Sequence, residues 1–292
     1  MTTKLKGCSR TTRAWITAVA IGLVAVVGSV SEGVAGASGG PALEGGYVAL
    51  GDSVPFGFSP LLEDPWVPAR FVGYPELIAR QTALTTTNLA CPGQTAQAMV
   101  SRTAVDNGCF DARRAAQDAG FQLLHTDYSG TQLKAALEAV HSSAPPSLIT
   151  IQAGGNELSL CLGGPAPGRC LDDALPRVTE SLRLAAARLS AGEARVRVVL
   201  VGYHLVPGLE AQIIRLNRAI ERAAREAHVA FVDTARPFDR SARQHHRDLG
   251  TTGLLIVLPD GSCDLHPTRI GQGLIASAVL AAARDDLSSG TA

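Results

Sequence analysis

The 292-residue sequence has no surplus of basic charge. Its 26 Lys and Arg balance 26 Asp and Glu, for a formal net charge of zero. No basic patch stands out, so nucleic acid is not an expected partner. Aromatic residues are scarce, at 4%, and form no obvious stacking platform. The six cysteines include no close Cys-x-x-Cys pair, which argues against a zinc site. His245-His246 lacks a clear third ligand, and no metal or other cofactor is expected. Beyond Ser31 no segment is long and apolar enough to span a bilayer. No internal repeat and no interdomain linker interrupt the chain, which favours one domain.

What the sequence does have begins at its N-terminus. Lys4, Lys6, Arg10 and Arg13 precede the uncharged stretch Ala14–Ser31, and Ala35-Gly36-Ala37 follows. That order reads as a secretory signal over residues 1–37, with cleavage after Ala37. The competing reading is an uncleaved membrane anchor. Residues 38–45 read as a flexible leader, 46–285 as the folded domain and 286–292 as a tail. Without residues 1–37 the chain keeps 22 basic and 25 acidic residues. Cysteine use agrees with an oxidising, extracellular destination. Spacing suggests loops closed by Cys91–Cys109 and by Cys161–Cys170, though connectivity is not fixed by sequence. Cys263 is left over and is expected to be free.

Near-continuous apolar runs at 46–50, 85–90, 147–154, 196–202 and 229–233 read as buried strands of a parallel sheet. Segments of helical spacing lie between them, at 74–81, 131–142, 173–190 and 209–228, with a last helix after Pro267. In the segment 209–228, Ile213, Ile214, Leu216, Ile220 and Ala224 fall near one stripe. The alternation predicts a doubly wound α/β domain. Stretches 54–74, 103–130 and 234–265 are long for simple connections and are expected to shape a site.

Ligands of such a sheet bind outside the carboxyl ends of its strands. Four candidate groups fall there: Ser53 in "GDSVPFG", Gly93 in "NLACPGQT", Asn156 in "AGGNE" and His266 in "DLHPT". Each has an ordinary reading alone: a turn serine, a Pro-Gly turn, a cap residue, a helix boundary. Together they supply a hydroxyl, a base and donors for an oxyanion. The stretch 51–55 is not a Gly-x-Ser-x-Gly elbow, because position 55 is Pro.

In this order the four segments resemble the sequence blocks of the SGNH/GDSL hydrolases, and the likeness spans roughly residues 46–285. It extends to the pairs Cys91–Cys109 and Cys161–Cys170, which are similar to those of secreted actinobacterial esterases and lipases. The resemblance implies a flavodoxin-like three-layer α/β/α sandwich with a five-stranded parallel sheet, and metal-free hydrolysis of small-molecule or lipid esters. It implies Ser53 as nucleophile, His266 as base, and Ser53, Gly93 and Asn156 as oxyanion donors. Within the family a deacetylase of envelope polysaccharide, or an inactive envelope-binding protein, is the alternative.

Two positions depart from the usual family pattern. The place three before His266 is Cys263, and Asp264 sits two before it instead. The group orienting His266 is therefore Asp264, a main-chain oxygen, or Asp260. Glu157 stands where an Asp is common, with loop support as its expected role. His125 and Tyr128 are expected to pack or line the cleft, and "YHLVPG" at 203–208 to form another wall. Phe56, Phe58, Leu61, Leu62 and Trp66 would suit an acyl chain.

Overall fold

A computed structural model describes residues 43–62, 67–191, 196–244 and 249–289. Five strands, β1 (Glu44–Gly51), β2 (Ala83–Asn88), β3 (Pro146–Gln152), β4 (Arg197–Val201) and β5 (Ala230–Val232), form one sheet. Their order is β2-β1-β3-β4-β5 and every pairing is parallel. Both faces are covered, so the inner strands β1, β3 and β4 carry unbroken buried runs rather than alternation, whereas the edge strand β2 is Thr-rich and only partly buried. In β3, Leu148, Ile149 and Ile151 are all fully buried.

Among the described residues ten α-helices accompany the sheet: α1 (Ser53–Phe56), α2 (Tyr74–Gln81), α3 (Ala96–Val100), α4 (Cys109–Ala119), α5 (Gln132–Val140), α6 (Gly155–Leu162), α7 (Pro167–Ser190), α8 (Glu210–Glu226), α9 (Ala235–Gln244) and α10 (Arg269–Ser289). Helices α2 and α10 pack together on one face, while α5, α7 and α8 cover the other. The result is the expected flavodoxin-like α/β/α sandwich. Helix α8 buries Ile213, Leu216, Ile220, Ala223 and Ala224, but Ile214 of the anticipated stripe is 42% exposed. None of the helices among the described residues is long and apolar enough to cross a membrane.

Two features differ from expectation. A separate antiparallel hairpin, β6 (Leu255–Val257) and β7 (Cys263–Pro267), occupies what reads in sequence as a long connection. Its turn is closed by Leu258 N–H donating to Ser262 O and Gly261 N–H donating to Leu258 O. Cys263 is disulfide-bonded rather than free. Cys91 is bridged to Cys109, and Cys161 to Cys170.

Candidate active site

Strand order reverses between β1 and β3, where neighbouring connections leave on opposite faces and open a crevice. Strand β1 ends there at Gly51, whose φ is +144° and where a Cβ would lie 2.1 Å from the Gln152 carbonyl oxygen. Only glycine fits that approach. The buried Gln132 clasps the same residue, its Nε2–H donating to Gly51 O at 2.8 Å and its Oε1 accepting from Gly51 N–H at 2.7 Å. Asp52 then caps α1, accepting from Val54 N–H at 3.0 Å. Ser53 is thereby the first residue of a one-turn helix, half-buried at the carboxyl end of the sheet. Gln272 of α10 anchors that turn through Val54 O, 2.9 Å away.

The β6–β7 hairpin brings the base. Ser53 Oγ lies 2.8 Å from His266 Nε2, and His266 Nδ1 lies 2.5 Å from Asp264 Oδ1. An ionised carboxylate can only accept, so Nδ1 carries the hydrogen and Nε2 is left to accept from the serine hydroxyl. Asp264 Oδ1 also accepts from His266 N–H at 2.9 Å. Burial works against the Asp264 charge. The hydrogen bonds and charge of His266 outweigh it and hold the carboxyl below its ordinary value. Asp260 is occupied with Ser262 instead.

The segment after β2 runs alongside, tied by Cys91 N–H to Gly51 O at 3.0 Å. Gly93 has φ +86°, and a Cβ there would meet Asn107 O at 2.5 Å. Asn156, at the start of α6, is held from two sides: its Nδ2 donates to Gln94 O and its Oδ1 accepts from Asn107 Nδ2, both at 2.9 Å. That fixes the amide's orientation and leaves its second N–H without a partner among the described residues. The backbone N–H groups of Ser53 and Gly93 also have none there. The structure thus gathers Ser53, Gly93, Asn156, Asp264 and His266 around one crevice.

The family model for GDSL-like lipases and acylhydrolases matches residues 49–274. The chain belongs to that family. Membership supports hydrolysis of carboxylic esters. No curated protein is significantly similar in sequence. Among solved structures, this GDSL-like chain is similar to an extracellular lipase from Streptomyces rimosus, at 19% identity and a TM-score of 0.52, covering 82% of this chain and 99% of that one. It is also similar to a catalytic mutant of the acetylxylan esterase Axe2 from Geobacillus stearothermophilus, at 14% identity and a TM-score of 0.50, covering 84% and 96%. At these identities the likeness concerns the fold.

The sequence assigns Tyr203, His204 and Asp52 no individual role in the site and gives Glu157 only loop support. Tyr203 and His204, in the segment expected only as a wall, are buried beside it. Glu157 Oε1 accepts from Ala96 and Gln97 N–H, capping α3, while its Oε2 is buried without a partner among the described residues. Burial pushes the Glu157 carboxyl up to about 7 and the Asp52 carboxyl up to about 6, and it pushes the His204 imidazole down to about 4. A lone acid or aromatic in sequence does not say which distant backbone it will meet.

The anticipated acyl-chain lining is partly overturned. Phe56 is buried in a satellite core with Phe71, Ala90, Cys91, Cys109 and Leu124, so it forms no open lining, while Leu62 packs against that core and is half-buried. Phe58 does reach the site, its ring centroid 5.0 Å from that of His266. Leu61 is half exposed. Trp66, His245 and His246 lie outside the described residues. His125 supports α1 by contacting Phe56 O at 3.0 Å, and Tyr128 packs under Arg113.

Proposed function

We propose that this chain is a secreted serine esterase or lipase that hydrolyses carboxylic esters through an acyl-serine intermediate. One observation carries the reading: the Ser53 hydroxyl lies 2.8 Å from His266 Nε2, with Asp264 2.5 Å from the opposite ring nitrogen. His266 takes the proton as Ser53 Oγ attacks the ester carbonyl carbon. Asp264 holds the imidazole in the required tautomer and stabilises the imidazolium. The tetrahedral oxyanion receives hydrogen bonds from Ser53 N–H, Gly93 N–H and Asn156 Nδ2. His266 returns the proton to the departing alkoxide. Water, deprotonated by the same imidazole, then attacks the acyl-enzyme and frees the carboxylic acid and Ser53.

No group in this cycle requires a metal or cofactor. Phe58, beside His266, and the exposed Leu61 offer apolar surface to an acyl chain. Residues 1–37 act as the export signal. The catalytic domain runs from β1, whose first residues Glu44 and Gly45 fall within the expected leader, through α10, which passes the expected boundary at 285 and ends at Ser289. The bridges Cys91–Cys109 and Cys161–Cys170 support an oxidising destination.

An ester panel graded by acyl length tests the reading. The wild type is expected to hydrolyse at least part of the panel, and Ser53→Ala to lose at least about 10³-fold in kcat. Equal rates for the two proteins would overturn it.

A further inference from the structure

The segment after β4 places two buried side chains against the site that the reaction scheme leaves without a task. The Tyr203 hydroxyl donates to Asp52 Oδ2 at 2.5 Å and accepts from Gly155 N–H at 2.9 Å. Asp52 immediately precedes Ser53, and Gly155 immediately precedes Asn156. A single oxygen atom therefore joins the chain at the nucleophile to the chain at the side-chain oxyanion donor. Tyr203 is itself fixed. Its N–H donates to Asn217 Oδ1 and its carbonyl accepts from Asn217 Nδ2, both at 2.7 Å. Its ring also closes over Gly155, where a Cβ would fall 2.8 Å from Cε1.

The next residue reaches the other half of the site. His204 Nε2–H donates to Leu265 O at 2.9 Å, and its ring lies 4.8 Å from that of Phe238. Leu265 sits between Asp264 and His266. The β6–β7 hairpin is outside the main sheet, so no ladder with β1 or β3 sets its height over Ser53. Contacts such as this one must do so.

We propose that Tyr203 and His204 are positioning residues for ester hydrolysis, Tyr203 setting the spacing of Ser53 and Asn156, and His204 setting the reach of His266 to Ser53. The inference rests on the acyl-serine reading above. Its physical basis is the steepness of rate with geometry: a misplacement of about 1 Å can cost on the order of 10²-fold. Three separate elements, the ends of β1 and β3 and the hairpin, must agree to better than that.

Asp52 supplies a readout that packing alone would not move. It faces Tyr203, His266, Glu157 and Tyr74. Burial raises its carboxyl to about 6, and the Tyr203 hydroxyl restrains that rise. Without the hydroxyl, Asp52 stays neutral to higher pH and no longer supports the charge forming on His266. His266, the base, then loses its proton at lower pH, and the acid limb of the rate profile moves downward.

The experiment is steady-state hydrolysis of a p-nitrophenyl ester across pH by wild type, Tyr203→Phe and Ser53→Ala, with circular dichroism confirming the fold. For Tyr203→Phe, kcat is expected to fall about 10–100-fold with KM within about twofold. The acid limb is expected to fall by about one pH unit. If wild-type turnover depends on Ser53 while Tyr203→Phe keeps kcat within twofold and an unshifted limb, this inference fails alone. If Ser53→Ala matches wild type, the acyl-serine reading fails and the inference goes with it. Should Tyr203→Phe not fold, His204 decides. His204→Leu is expected to lose about tenfold in kcat, and His204→Gln, which keeps a donor for Leu265 O, to recover to within about threefold. A His204→Leu variant as fast as wild type overturns the proposal.

Discussion

At the scale of single residues, the spacing of Asp264 and His266 follows from backbone geometry. Strand side chains alternate, so residues two apart share a face. On β7 that puts Asp264 and His266 together. The position three before His266 belongs to Cys263, whose buried Sγ lies 3.9 Å from Gly250 O. The sequence favoured Asp264 but left Asp260 and a main-chain oxygen open, because it did not reveal that this segment is a strand. Asp264→Asn is expected to cut kcat by roughly 10³–10⁴ while leaving KM nearly unchanged, since an amide nitrogen can face Nδ1 and stabilise the wrong tautomer. Steady-state kinetics at pH 8 check this. The four motif-bearing residues were legible because their types and order are themselves the signal. Tyr203 was not: its hydroxyl meets Asp52 across 151 positions of sequence.

At the scale of elements, strands and long helices were legible from apolar runs and helical spacing, while the small pieces were not. Helix α4 buries only Cys109 and Ala116, too little apolar periodicity to mark it. The β6–β7 hairpin did carry an Asp260-Gly261 turn signal, but its strands are only three and five residues long. Helices α3 and α6 are joined by Glu157, and that joint has a measurable cost. Burial raises its folded carboxyl to about 7 from an ordinary 4.5. Between those values the folded chain holds more proton than the unfolded chain, so stability falls as pH rises from about 4.5 through 7. Glu157→Gln keeps an acceptor for Ala96 N–H and removes the charge. Thermal unfolding is expected to show the variant more stable than wild type at pH 8, by on the order of 2 kcal/mol, and equal to it near pH 4.5. A smaller slope of the same sign remains from Asp52, raised to about 6.

At the scale of the whole molecule, the β2-β1-β3-β4-β5 order explains how motifs more than 200 residues apart meet. The reversal between β1 and β3 opens the crevice, and the segments after β1, β2, β3 and β4 line it, with the hairpin closing the remaining side. Burial of the sheet's core fixes these ends, so the site inherits its rigidity from the fold. The N-terminal segment belongs to this scale too. If residues 1–37 are the export signal, N-terminal sequencing of protein collected from the culture medium is expected to begin at Ser38. A protein beginning at Met1 and retained on membranes would favour the anchor instead.

The most direct test is peptide mapping after reaction with a fluorophosphonate. The wild type is expected to carry the adduct on Ser53, His266→Ala to form it at least about 10³-fold more slowly, and Ser53→Ala to carry none. An adduct on another residue, or equal labelling of wild type and Ser53→Ala, would contradict the assignment of Ser53 as the attacking group.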